Sequence, residues 1–442
     1  MNTQVLKAVA LAEIDRTGQD AVRVAKNVLA APEPGFREHR TSRRVAEEFR
    51  RLGIPFDDGL AVTGLKAVLE GGGSGPTVAV MGELDSLIVL GHPDSDPSTN
   101  AAHACGHHCQ LGSMLGVAMG LRAAGVMEAL SGRVALFAVP AEEYIEIGFR
   151  DELRRQGAIE FLGGKAELIK IGALDDVDIA MLTHTVGAEW APAKFGIRAT
   201  NNGMVSKLVK FTGLAAHAGG APHVGINALN AANIALTAIH AQRETFRDED
   251  TIRVHPIITQ GGVAVSSVPA DVRMETFVRG RTTEAFMSAS RKVDRALRAG
   301  AMAVGGGVTI TTLPGYLPIR TDEALEDLYR ENAGTLVGQD QVVEMGHRSG
   351  STDMGDVSQL MPVIHPYVVA ATGNAHGADY VIQDYELGVV TAAKAMAMTV
   401  IDLLADGARR GREISRNYRA PMSKKEYLTA LRGTLCEETY TE

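Results

Sequence analysis

Three short, continuous apolar runs, at residues 77–81, 132–139 and 179–183, constrain the fold most, because almost no polar residues alternate within them. Strands of that kind are buried on both faces, which is the condition of a parallel sheet covered by helices. A helical pattern over 110–124 lies between the first two, so strand, helix and strand follow in the order of a crossover connection. Residues 20–52 read as two more helices, broken at Ala31-Pro32-Glu33-Pro34-Gly35. These features predict an α/β domain with a mainly parallel sheet flanked by helices.

From about residue 202 the pattern changes. Residues 204–211 interleave apolar side chains with Ser206, Lys207 and Lys210, as a strand with one solvated face does. A helix over 228–242, a strand over 252–258, a Gly261-Gly262 turn, an alternating strand over 271–279, a helix over 285–301 and a strand over 307–313 follow. The pattern predicts an α+β unit with a four-stranded antiparallel sheet and two helices on one face. It occupies 201–314 and is inserted between 1–200 and 315–442, which together make the first domain. A chain of 442 residues exceeds what one core usually serves, which agrees with two domains. The charged stretch 242–250 reads as a solvated helix end or loop.

Composition narrows the function. The net charge is −9 and no block of lysine or arginine could follow a phosphate backbone, so no nucleic-acid partner is expected. No run of about 18 apolar residues stands out, so no membrane partner is expected either. The first residues mix Lys7, Glu13 and Asp15 into a helical pattern and lack the form of a secretion signal. Cys105, Cys109 and Cys436 are too few for a disulfide framework, which points to a soluble protein of the reducing cytoplasm.

The chemistry concentrates in His103-Ala104-Cys105-Gly106-His107-His108-Cys109, which crowds five metal-binding side chains between a predicted strand and helix. Alone it also suits a redox pair, Cys105 with Cys109, or a structural zinc site. Pro140-Ala141-Glu142-Glu143 follows directly on the second apolar run. Neighbouring side chains at a strand end point apart, so one glutamate can bind metal while the other handles a proton. An isolated pair would be surface charge, but this one is delivered to the carboxyl edge of the sheet, where open α/β sheets place ligands. His184 ends the third run at the same edge, a place where a lone histidine is usually a core or capping residue. His376 stands in the loop Gly373-Asn374-Ala375-His376-Gly377. Taken together, Cys105, His107, Glu143, His184 and His376 suffice for two divalent ions sharing a bridging water. Their thiolate and imidazole groups favour zinc, with manganese or cobalt admissible.

At these residues the chain resembles the metallopeptidase family of aminobenzoyl-glutamate hydrolases, auxin-conjugate amidohydrolases, aminoacylases and carboxypeptidase G. Further landmarks are Pro32-Glu33-Pro34-Gly35-Phe36-Arg37-Glu38, Gly82-Glu83-Leu84-Asp85-Ser86-Leu87, Ala215-Ala216-His217-Ala218 and Ser351-Thr352-Asp353-Met354-Gly355-Asp356-Val357-Ser358. The resemblance implies that Cys105, His107, Glu143, His184 and His376 hold the metals and that Glu142 is the general base. It implies that His217 binds the developing oxyanion in the partner subunit's site of a homodimer paired through the lid; read alone, His217 is a turn residue. It also implies that Arg279 binds a substrate carboxylate, which suits a guanidinium fork, with Asn227 helping there.

Three features depart from the family pattern: His108 stands where relatives commonly carry aspartate or asparagine, Ser266 precedes Pro269 where asparagine is frequent, and the stretches 90–102 and 144–173 are long. The implied activity is hydrolysis of an amide bond in a small N-acyl or N-aroyl amino acid, aminobenzoyl-glutamate-like and carrying a carboxylate, with Glu142 activating the water. The alternatives are a dipeptidase or exopeptidase of the same family, and a non-catalytic metal- or peptide-binding protein on this scaffold.

Overall fold

The three apolar runs lie side by side. Gly73–Glu83 pairs in parallel with Ser131–Val139 on one side and with Ile179–Met181 on the other. Val363–Ile364 adds a further parallel strand beyond Ile179–Met181, while Gly64–Glu70 and Phe56–Leu60 extend the opposite edge antiparallel, giving six strands. This arrangement comes from a computed structural model that describes residues 2–189 and 192–441. Alternate strand residues serve two cores. Val78, Val80, Val134 and Leu136 pack toward Thr3–Leu29, His107–Leu121 and Ala392–Asn417, whereas Ala79, Met81, Ala135 and Phe137 pack toward Gly164–Lys170 and the lid side.

Three expectations need correction here. The first helix begins at Thr3 rather than near residue 20, because Leu6, Ala10 and Ile14 already form its buried stripe and Lys7 pairs with Asp402 at 2.6 Å. The third run ends at Met181, and His184 opens a second strand, His184–Gly187, which pairs with Tyr367–Thr372 in another sheet. The helix Glu386–Asn417 is long and apolar enough to cross a membrane, although the apolar runs along the sequence announce no such stretch. It is instead packed inside the domain against Thr3–Leu29, His107–Leu121 and Glu323–Val337. A stretch so enclosed needs no polar face, whereas beyond Ala405, where the backbone leaves helical geometry, Asp406, Arg409 and Arg410 are exposed.

The lid contains the four antiparallel strands expected, in the order Arg253–Gln260, Asp271–Gly280, Gly203–Thr212, Gly307–Pro314. Helices Ala228–Ala241 and Thr283–Met302 cover one face. The chain's end adds a fifth strand, Cys436–Tyr440, antiparallel to Gly307–Pro314. The helix before it, Lys424–Thr434, starts with a Ser423/Glu426 capping box and buries Tyr427 and Leu431. The tail of the segment 315–442 therefore joins the lid sheet. Its strand is mostly exposed and polar, held by backbone pairing, so hydrophobic patterning could not reveal it. The charged stretch 242–250 folds into two short turns of 3-10 helix, Arg243–Thr245 and Asp248–Asp250. Opposite the lid helices, the long segment after Glu143 reaches the free face of the sheet, where Tyr144 meets Phe277 edge-on at 5.8 Å and its hydroxyl donates to the Pro314 carbonyl at 2.8 Å.

Candidate metal centre and active site

The parallel strands deliver their ends to one edge. Glu83 closes its strand in register with Val139, and the next turn carries Glu142 and Glu143 beside it. That turn is forced: Ala141 has φ 52, a left-handed conformation unusual for alanine. Its amide donates to Glu38 at 2.7 Å, and Arg150 holds the turn from behind by donating to the carbonyls of Ala141, Leu162 and Glu143. On the neighbouring loop Gly106, at φ 85, starts the helix His107–Leu121; a side chain there would lie 2.0 Å from the Thr185 hydroxyl. The glycine lets Cys105 and His107 face the same space.

All five residues read as metal ligands converge. Cys105, His107 and His184 form one group and Cys105, Glu143 and His376 another, with donor atoms in each within 4.8 Å of one another. Cys105 is common to both. Its Sγ lies 3.3 Å from His184 Nε2, and His376 Nε2 lies 3.4 Å from Glu143 Oε1. Two of the imidazoles are oriented by their other nitrogen: His107 Nδ1 is 3.0 Å from the Asp85 carbonyl and His184 Nδ1 is 2.8 Å from the Thr185 carbonyl. Donation from Nδ1 leaves each Nε2 lone pair facing the cluster. Asp85 also accepts the Glu143 amide at 2.8 Å.

The donor set fits divalent cations. His107 Nε2, 3.1 Å from Glu83 Oε2, and Glu143 Oε1 have polar neighbours but no hydrogen bond of acceptable geometry, and both are buried, an arrangement that is costly unless a ligand satisfies them. Burial and the charge of Glu143 push the Cys105 thiol well up, as happens where anionic donors crowd without a cation. Burial also raises Glu143, but the charges of His376 and His107 outweigh it and bring the carboxyl below its usual range. Glu142 behaves oppositely: burial, then the charges of Glu83, Glu143 and Asp353, push it well up. Its Oε2 is 3.8 Å from His107 Nε2.

Glu83, His107 and Glu142 also lie close enough to form a third group. Glu83 is already committed, since its Oε1 is 2.6 Å from Lys165 Nζ and its Oε2 accepts from Gln110 at 2.9 Å. The two groups that share Cys105 are therefore the better metal sites. Lys165 is fully buried and donates also to Asp353, so one cation holds two carboxylates behind the cluster. Burial raises Glu83, yet the charges of Lys165, His107 and His184 hold it well below the usual range. Sequence reasoning gave Glu83 and Lys165 no role. Glu83 had a signal, a carboxylate ending an apolar strand, while Lys165 had none, for only the fold brings it there.

The rest of the dense motif turns away. His108 is buried with Nε2 3.2 Å from the Tyr385 hydroxyl and its ring 5.3 Å from that of His103, and Cys109 is part of the hydrophobic core. Cys105 and Cys109 are both free thiols.

Arg279 ends its lid strand near the cluster. Burial lowers its pKa and the charges of Glu143 and Glu142 partly restore it. His217 is not brought to the cluster within this chain. It is exposed on a lid loop, and its Nδ1 accepts from the amides of Gly219 at 3.1 Å and Gly220 at 3.0 Å. That leaves Nε2 as the N–H donor. Ser266 braces the same loop, its carbonyl accepting the Ala218 amide at 2.9 Å. Asn227 lies apart from Arg279 in role: its Oδ1 caps the helix Ala228–Ala241 by accepting from Leu229 and Asn230.

A parallel-sheet domain with a cluster of thiol, imidazole and carboxylate groups, buried at Cys105, His107 and Glu143 and open at His376, together with an α+β lid, fits a hydrolase of the metal-dependent type. Residues 199–303 match the family model of the peptidase dimerisation domain. The chain is 28% identical over 433 residues to the Xaa-Arg dipeptidase of Mus musculus, covering 91% of this chain and 89% of that protein. It is 27% identical to one component of the p-aminobenzoyl-glutamate hydrolase of Escherichia coli (strain K12), covering 70% of each. In fold it is similar to a Bacillus subtilis dinuclear metal binding peptidase from the M20 family, with a TM-score of 0.63 and 20% identity over 88% of this chain and 99% of that one. The chain is thus similar over most of its length to hydrolases and peptidases that act on amide bonds, and its lid matches their dimerisation domain, in keeping with the resemblance its motifs carry.

Proposed function

We propose that the protein hydrolyses the amide bond of small N-acyl or N-aroyl amino acids, using two divalent ions held by Cys105, His107, Glu143, His184 and His376. The observation that carries this reading is Glu142, a buried carboxylate beside both donor groups that share Cys105 and a member of neither. A protein that only bound metal or peptide would gain nothing from it. Divalent ions in such a set would supply Lewis acidity, polarising the amide carbonyl and acidifying water. Glu142 takes the proton of the attacking water and delivers it to the leaving amine. The Tyr316 hydroxyl, which donates to the Glu142 carbonyl, fixes that stretch of backbone. Arg279 holds the substrate carboxylate. The Nε2 proton of His217 meets the oxyanion from a second copy, because within one chain the residue is exposed and touches its own loop. This makes the working form a homodimer paired through the lid. The free cysteines favour the cytoplasm, and the thiolate and imidazole donors favour zinc over manganese or cobalt.

A panel of N-acyl and N-aroyl amino acids and dipeptides, offered to metal-reconstituted protein, tests the reading. Turnover of N-acylated substrates is expected; metal binding with no hydrolysis of any member would refute it. The likeness to an Xaa-Arg dipeptidase supports a second reading, in which substrates must carry a free amine. The same panel separates the two.

A further inference from the structure

The junction of the two domains gathers positive charge at a place none of the metal donors lines. The chain enters the lid through Thr200–Asn201, which pairs in parallel with His347–Arg348. Between this crossing and the start of the lid helix Thr283–Met302 lies a cavity of about 430 Å³. Arg281 and Thr283 line it from the lid, and Arg320 and His347 line it from the other domain.

In a chain of net charge −9 both of these arginines lack a counter-charge. Among the described residues neither Arg281 nor Arg320 makes an ion pair, and neither guanidinium donates a hydrogen bond. Glu284 is the one carboxylate on the wall, and no ion pair joins it to either. His347 adds no charge, because burial and the neighbouring Arg281 push its pKa down and both its nitrogens are engaged, with the Thr200 hydroxyl at 3.0 Å and Asn202 Oδ1 at 3.0 Å.

The groups left over are donors. Thr282 caps the 20-residue helix by accepting from Ala285, which leaves the Thr283 and Glu284 amides at its start without a partner. Asn201, also on the wall, is only 6% exposed. Its Oδ1 accepts the Tyr367 hydroxyl at 3.3 Å, while its Nδ2 makes no hydrogen bond among the described residues. An amide nitrogen so buried is costly unless a ligand accepts from it. Two guanidinium forks, a helix start and a free amide nitrogen together match the several oxygens of a phosphate group, and outnumber those of a single carboxylate.

We propose that Arg281, Arg320, Asn201 and the start of the helix Thr283–Met302 bind the phosphate group of a small anion and so clasp the lid to the other domain. At roughly 30 Å³ for a water-sized group, the cavity has room for a small phosphate monoester as well as for the free ion. The site would stand whatever bond the metal centre cleaves.

Inorganic phosphate, ribose 5-phosphate and acetate are titrated calorimetrically, at one ionic strength, into the metal-reconstituted protein and its variants. Phosphate is expected to give a saturable event that persists in Arg279→Gln and in chelator-treated parent protein that keeps its circular dichroism. The event weakens about tenfold or more in Arg281→Gln and in Arg320→Gln. Arg320→Lys keeps the charge without the fork and retains part of the affinity. Both arginines are exposed, so circular dichroism of the variants should match that of the parent. Tighter binding of ribose 5-phosphate than of inorganic phosphate supports a monoester as the occupant, and equal or weaker binding supports the free ion. Absence of a saturable phosphate event overturns the site, as does binding that Arg281→Gln and Arg320→Gln leave undiminished, that is lost with the metals from folded protein, or that acetate matches.

Discussion

The donor cluster and the lid loop around His217 present functional groups under opposite conditions. In the cluster Cys105, His107 and Glu143 are buried, and the imidazoles of His107 and His184 have their second nitrogen oriented by a backbone carbonyl. On the lid His217 is exposed, and the contacts that orient it come from two glycine amides of its own turn. The first arrangement is assembled within one chain, and because burial makes an unsatisfied polar group expensive, its unpartnered His107 Nε2 and Glu143 Oε1 call for a cation. The second costs nothing while solvated, and on the proposed dimeric reading its N–H would gain its full electrostatic value once a second copy excludes water around it.

The largest effect expected concerns the proton carrier. Glu142→Gln should lower kcat by about 10³- to 10⁴-fold while metal content stays that of the parent. Loss of the metals in that variant, measured by elemental analysis, would move Glu142 into the ligand set and blur the contrast with the lid. Next comes the support behind the cluster. Lys165→Met strands Glu83 and Asp353 as buried carboxylates and should cost about 3–5 kcal/mol in denaturant unfolding. An unfolding midpoint unchanged from the parent would show that the buried side tolerates loose charges as the lid does. Removing the lid donor, His217→Ala, should cost about 10²- to 10³-fold in kcat with stability unaltered. Co-expression with the Glu142→Gln chain should restore activity in mixed dimers. If it restores none, His217 does not act across subunits.

A buried carboxylate remote from the cluster sharpens the contrast further. Burial pushes Glu326 from its ordinary 4.5 up to about 7, despite the hydrogen bond and charge of Arg198. Between those values the native state keeps a proton that the unfolded chain has lost, so stability falls as pH rises from about 4.5 to about 7 and is level beyond. Glu326→Gln should therefore stabilise by up to about 3 kcal/mol near pH 8 and by almost nothing near pH 4. A pH-independent gain in unfolding free energy would deny that titration is the cause. Asn227→Ala gives the smallest effect, a loss of about 1 kcal/mol from the missing helix cap. If it instead raised KM more than it lowered stability, Asn227 would have a substrate contact besides its cap.

Much of this molecule was legible along the chain. The uninterrupted apolar runs required strands buried on both faces, and the alternating ones required a half-exposed sheet, so both domains followed from local periodicity. The donors sit next to strand ends or glycines, positions that can be recognised one segment at a time. Where reading failed, the cause was non-local. Cys436–Tyr440 becomes a strand through backbone pairing with Gly307–Pro314, which its polar side chains do not announce. Within the His103–Cys109 stretch only the helix started by Gly106 separates the residues that face the cluster from His108, which meets Tyr385, and Cys109, which faces the core.

The residue types and their order determined the two-domain plan, the inventory of thiolate, imidazole and carboxylate donors, and the pairing of Glu142 with Glu143. Tertiary structure alone decided that Cys105 is shared by two donor groups, that Lys165 neutralises Glu83 and Asp353, and that Arg253 stands against Arg279. Periodicity reports which face of an element is dry, whereas the neighbours of a buried charge depend on contacts between segments far apart in the chain.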